Sequence, residues 1–176
     1  MYGNSGGQGK SITIEGIGGE TIASIEPEKS EKLLGLHINS SFNWNSHIKE
    51  LVIVLKKRIG LLKRMKKRVP KDKLVIIAEA IFNSKIRYGL AVYLKPTFDK
   101  EEVKTEKLSA HIKELQVVQN SMIRVIQGLK QADHIKMKKV RKQVDMITVN
   151  QMSVYHTVTE VYNITNRTAS EQLQNK

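Results

Sequence analysis

The sequence predicts a mainly α protein, with a short N-terminal antiparallel β-meander followed by a helical bundle. Three observations carry this expectation. Alternation of apolar and polar residues is confined to the first forty positions. From Ser46 onward, apolar residues recur at the three- and four-residue spacing of helices. Pro70, Gly89, Pro96 and Gly128 then divide that helical region into segments. Hydrophobic residues make up 40% of the chain, enough to bury a core, and aromatics only 5%, so the core must be built of Ile, Leu, Val and Met.

The elements follow in order. The opening MYGNSGGQGK is glycine-rich and reads as a loose terminus. Ser11–Gly16 (SITIEG) alternates, with Ile12 and Ile14 on one face, as a half-buried strand does. Gly16, Gly18 and Gly19 form a turn, and Thr21–Ile25 is the candidate return strand. Lys32–Ile38 (KLLGLHI) reads as a further strand, closed by Asn39, Ser40 and Ser41. The character changes at Trp44. Ile48, Leu51, Val52, Leu55, Ile59, Leu62 and Met65 mark a helix from Ser46 to about Arg68, with Asn45 as its expected N-cap. Pro70 and Asp72 restart the chain. Leu74, Ile77, Ala78, Ile81 and Phe82 mark a second helix, with Pro70 near its first position. Ile86–Tyr93 continues that helix or begins another after a break near Ser84 or Gly89. Lys95–Lys107 reads as a connecting loop. Leu108, Ile112, Leu115, Val118, Met122, Ile123 and Ile126 define an amphipathic helix ended by Gly128. A basic stretch, Lys136–Lys142, precedes a helix expected over Thr148–Tyr162, and the polar tail from Asn163 is expected to fray. The expected division is therefore 1–43, 44–128 and 129–176. No internal repeat is visible.

Charge supplies the first functional constraint. Thirty Lys and Arg face seventeen Asp and Glu, a net charge of +13. Such an excess favours polyanions, nucleic acid first and anionic membrane second. The absence of cysteine excludes disulfides, thiolate zinc sites and cysteine nucleophiles. No apolar run is long enough to span a bilayer and no secretory leader is visible at Met1, so an intracellular location, nucleus or cytoplasm, is expected and the glycosylation sequons carry little weight.

Gly3–Ser11 (GNSGGQGKS) imitates a phosphate-binding loop, but Asn4 stands where the pattern requires Gly, and the stretch precedes a strand instead of opening a helix. The five histidines show no metal-ligand spacing. Asp72, Asp99, Asp133 and Asp145 never pair, so no self-sufficient active site is expected. The Ser46 helix is more informative. Placed at about 100° per residue, Lys49, Lys56, Lys57, Lys63, Arg64, Lys67 and Arg68 fall on one broad arc largely opposite the apolar one. Ile53 intrudes on the basic side, and Arg58 and Lys66 on the apolar side, where they would have to snorkel. A solvated helix face usually mixes charges, yet no acid occurs from Leu51 to Lys71. An acid-free cationic stripe suits a sugar-phosphate backbone, because each cation near a phosphate releases condensed counterions. Two rival readings are a membrane-surface helix and a small basic adaptor on an acidic protein.

The stretch KLLGLHINSSFNWNSHIKEL resembles the segment following the catalytic palm in reverse transcriptases of non-LTR (LINE-type) retrotransposons. The resemblance rests on Leu33, Leu34-Gly35, Leu36, Trp44 and His47-Ile48. It continues through Ile86-Arg87-Tyr88-Gly89, Leu115–Asn120 with Arg124–Gly128, and Met146–Tyr155, about 85% of the chain by order and spacing rather than by any one box. Leu33 stands where an aromatic is frequent in that family.

The resemblance implies that Ser11–Ile38 are the last palm strands, with Leu33, Leu34, Gly35 and Leu36 at the primer grip. Gly35, as a strand glycine, would let another backbone approach closely. Trp44 and His47 would sit at the strand-to-helix junction, and the Ser46 helix would begin a thumb holding an RNA–DNA template-primer duplex non-specifically through its backbone. The family's chemistry needs paired palm aspartates holding two Mg²⁺ ions. Nothing in this chain replaces them. The expectation is a fragment of an RNA-directed DNA polymerase, inactive alone, without a cofactor of its own, whose natural partners are nucleic acid and the missing palm and fingers.

Overall fold

The computed structural model describes residues 12–15, 21–25, 30–39, 41, 43–97, 108–130 and 133–166. The glycine-rich phosphate-loop mimic lies outside them, as do Asp99 and the tail beyond Asn166. The described residues are mainly helical, with short antiparallel strands at the N-terminal side, as the patterning predicts. The chain forms two compact units, Met1–His47 and Ile48–Lys176.

In the first unit the strands form two separate two-stranded hairpins rather than one continuous meander. β1 (Ile12–Glu15) pairs with β2 (Thr21–Ile25), with Ile12 opposite Ile25 and an irregularity between Ile14 and Glu15. β3 (Ser30–Leu33) pairs with β4 (Leu36–Asn39), with Leu33 opposite Leu36. The single strand expected over Lys32–Ile38 is therefore two strands and a two-residue turn. The cause is local. Leu34 and Gly35 both adopt positive φ, 48° and 79°, the pairing that matches the twist of a tight hairpin. Gly35 turns the chain, and the strand-glycine role expected for it does not apply. Beyond β4, Asn39 Oδ1 accepts the Asn43 N–H at 3.0 Å, and Asn43 Oδ1 accepts the Asn45 N–H at 3.4 Å. These short side chains lead the chain into helix one residue earlier than expected, at Asn45.

The second unit is built around α1 (Asn45–Met65), α5 (Ala110–Gln127) and α7 (Val149–Thr165). α1 buries Ile48, Leu51, Val52, Leu55, Ile59 and Leu62, the face its periodicity marks. It ends in a tight turn, where the N–H groups of Arg68 and Val69 both bond the Met65 carbonyl at 2.9 and 3.0 Å. Pro70 then precedes α2 (Lys71–Ala78). α2 runs into a π-helical turn, Glu79–Asn83, and on through α3 (Ser84–Arg87) without a break at Ser84. The break falls at Gly89, whose φ of 70° starts α4 (Leu90–Tyr93).

α5 is bounded by chemistry visible in its sequence. Ser109 Oγ accepts the Ile112 N–H at 3.3 Å. At the other end Gly128, φ 78°, closes a Schellman motif: Leu129 N–H bonds Arg124 O at 2.9 Å and Gly128 N–H bonds Val125 O at 3.2 Å. All six of Ile112, Leu115, Val118, Met122, Ile123 and Ile126 are buried. α6 (Met137–Gln143) packs on α5. α7 opens with a capping box between Thr148 and Gln151 and extends three residues past the expected Tyr162. Ser153 Oγ donates to the Leu94 carbonyl at 3.1 Å, tying α7 to the end of α4.

Candidate nucleic-acid interface

The apolar half of α1 is sealed in the core, so its other half must face outward. Lys49, Lys56, Lys57, Lys63 and Arg64 are all exposed on α1, and Lys67 and Arg68 are exposed on the turn that follows it. Lys63, Arg64, Lys67 and Arg68 line one open groove together with Met65 and Val69. Ile53 and Leu61, 54% and 40% exposed, are the apolar members of this surface. Between Leu51 and Lys71 the sequence has no carboxylate to offset these charges.

The two cations expected to snorkel differ in what they reach. Arg58 Nη1 donates to the Ile81 carbonyl inside the π-helical turn. A π turn shifts the backbone ladder and turns carbonyls away from their usual partners, so a guanidinium from a neighbouring helix has an acceptor to reach. Arg58 thus joins α1 to the α2–α3 rod and leaves the outward face. Lys66 stays exposed on the turn after α1. Its Nζ lies 2.9 Å from the position a Cβ would take on Gly128, which sets an ammonium at the C-terminus of α5, the negative end of that helix dipole.

The primer-grip-like residues divide at the hairpin tip. Leu33 and Leu34 are 60% and 80% exposed, whereas Leu36 is buried. At the junction, His47 is buried and its Nδ1 accepts the His37 N–H at 3.5 Å. The Trp44 ring meets the His47 ring edge-on at 6.3 Å, and the His37 ring stacks at 6.5 Å. Trp44 and His47 therefore belong to one aromatic cluster, built by the Asn39–Asn43–Asn45 relay that brings β4 and the helix start together.

A buried polar chain, not expected from the sequence, ties together the π turn, α5, α6 and the start of α7. Gln119, fully buried, donates through Nε2 to the Ile147 carbonyl at 3.1 Å and to Asn83 Oδ1 at 3.4 Å. Gln116 Nε2 donates to Gln119 Oε1 at 2.8 Å and to Asn120 Oδ1 at 3.0 Å, and Gln116 Oε1 accepts the Val149 N–H at 3.0 Å at the start of α7. Arg141 Nη2 donates to Asn120 Oδ1 at 3.1 Å, pinning α6. At the other end Asn83 donates to Glu79, which also pairs with Arg87. A signal for this chain was present. Gln119 lies four residues after Leu115 and seven before Ile126, in phase with the core, and a polar residue there must find buried partners.

Among the described residues no group of three His, Asp or Glu side chains could hold a metal ion, and no helix is long and apolar enough to cross a membrane. No protein-family profile, curated protein or solved structure matches the chain.

Proposed function

We propose that this chain derives from the RNA-directed DNA polymerase of a non-LTR retrotransposon, and that α1 is the thumb-like surface gripping a template-primer duplex through its sugar-phosphate backbone. The observation that carries the reading is the exposed face of α1 and its following turn, with Lys49, Lys56, Lys57, Lys63, Arg64, Lys67 and Arg68 outward and no acid among them from Leu51 to Lys71. Such a face supplies salt-sensitive affinity without base readout. Catalysis in that family needs an aspartate pair and Mg²⁺ held by palm segments, so the activity proposed for this chain is duplex binding.

Charge reversal at Lys56, Lys63 and Lys67 is the test. It is expected to weaken binding of RNA–DNA and DNA duplexes alike, whatever their sequence. Unchanged affinity removes α1 from the interface.

A second reading rests on Ile53 and Leu61, exposed beside the lysines. Apolar residues flanked by cations suit a helix lying on an anionic membrane. Co-sedimentation with vesicles containing phosphatidylserine, together with no retention of duplex, would favour that reading.

A further inference from the structure

α6 carries a second row of cations with its own structural support. Val140 is buried, and Arg141 is turned to Asn120 of α5. On a helix this directs Lys139 and Lys142, three apart, away from the side that holds Val140 and Arg141, and both are exposed. The loop entering α6 is also held. Arg124 Nη1 donates to the carbonyls of Lys130 and Asp133 at 2.8 and 3.1 Å, and Asp133 Oδ2 accepts the Lys130 N–H at 2.6 Å. The Asp133 carboxylate is thereby engaged within the loop. Asp145, exposed just beyond α6, is the next acid along the chain.

The position of this row relative to α1 follows from α5. Lys66, from the turn ending α1, sits against Gly128 at the α5 C-terminus. Arg141 is fixed at Asn120, about 12 Å back along the same helix at the usual rise per residue. The turn that ends α1 and the base of α6 are thus both attached to the last two turns of α5. A duplex, whose charges recur every ~1.7 Å of axis, offers phosphates to both.

We infer that the exposed Lys139–Lys142 pair of α6 is a second contact for the same sugar-phosphate backbone that α1 grips, an inference resting on the proposed function. The exposed positions of α6 itself, Lys138, Lys139, Lys142 and Gln143, are all polar. They offer charge to phosphates and no apolar side chain to a membrane interior. Arg141 and Asn120 are positioning residues that set the row's direction.

The test is the salt dependence of duplex binding by the full chain and by the K139Q/K142Q variant, both exposed lysines replaced by another good helix former. Losing two phosphate contacts is expected to lower the slope of log K against log salt by about 2. The same neutralisation at Lys85 and Lys95, which belong to neither cluster, is expected to leave the slope within about 0.5 of the parent. A K139Q/K142Q slope equal to that of the parent overturns the inference and leaves α1 as the grip. An equal drop at Lys85 and Lys95 also overturns it, since diffuse charge would then account for the effect. A parent chain showing no salt-dependent duplex binding, or binding only anionic vesicles, overturns the proposed function and this inference together.

Discussion

Replacing Gln119 by Leu tests whether the buried amide chain holds the helical unit together. Leu keeps most of the volume, so the expected effect is polar rather than a cavity. Three hydrogen bonds are removed: to Ile147 O at 3.1 Å, to Asn83 Oδ1 at 3.4 Å, and from Gln116 Nε2 at 2.8 Å. They do not count equally. Gln116 Nε2 keeps Asn120 Oδ1, and the bond to Asn83 is long, so it was weak at the outset. The Ile147 carbonyl bears the largest loss. A buried group left without its partner costs about 1–3 kcal/mol, and the weaker losses bring the total to about 2–4 kcal/mol. With a urea m-value of about 2 kcal/mol/M, the unfolding midpoint drops by about 1–2 M. The assay is equilibrium urea unfolding by far-UV circular dichroism, with Val117→Ala as the control because Val117 is 62% exposed on the same helix. A Gln119→Leu midpoint within error of the parent would refute the argument, as would an equal loss in the control.

Two further outcomes follow from particular contacts. Arg58→Met keeps an unbranched stem and deletes the donor to Ile81 O in the π turn. Stability is expected to fall by about 1.5–3 kcal/mol, while the salt slope of duplex binding stays unchanged; the reverse pattern in urea unfolding and filter binding would return Arg58 to the interface. Tyr93 is buried, its hydroxyl donates to Ile86 O, and burial pushes the phenol well above its ordinary value of 10. The native phenol keeps its proton while the unfolded one ionises, so this contribution is complete below pH 10 and declines as pH rises past it. Tyr93→Phe is expected to be less stable than the parent at pH 7 and to close that gap at pH 11. Urea midpoints at the two pH values giving parallel losses would count against burial as the cause.

Much of the fold was legible because apolar period decides helix existence. Leu115, Val118, Met122 and Ile126 on α5, and Leu51, Leu55 and Leu62 on α1, are buried where their spacing places them. The helix end at Gly128 was legible from its glycine, whereas the caps at Ser109 and Thr148 emerge only in the structure. The hairpin at Leu34–Gly35 was not, because a leucine at φ 48° carries no turn signal and the apolar run reads as a single strand. The π turn was hidden for a related reason. Glu79–Asn83 keeps a helical composition, and the extra residue per turn is supported by Arg58 and Gln119 from distant segments. The cationic arc of α1 was legible as an arc. The groups that Arg58 and Lys66 reach, Ile81 and Gly128, are tertiary neighbours that no local pattern names.

The most direct measurement of the central claim is the affinity of the full chain for an RNA–DNA hybrid duplex across a series of salt concentrations, beside a variant with Lys56, Lys63, Arg64 and Lys67 changed to Gln. If the exposed face of α1 grips phosphates, the parent binds with a steep negative slope, and the variant's slope is shallower by about 3 to 4, near 0.9 per lost contact. Identical slopes, or affinity that stays flat as salt rises, would contradict it.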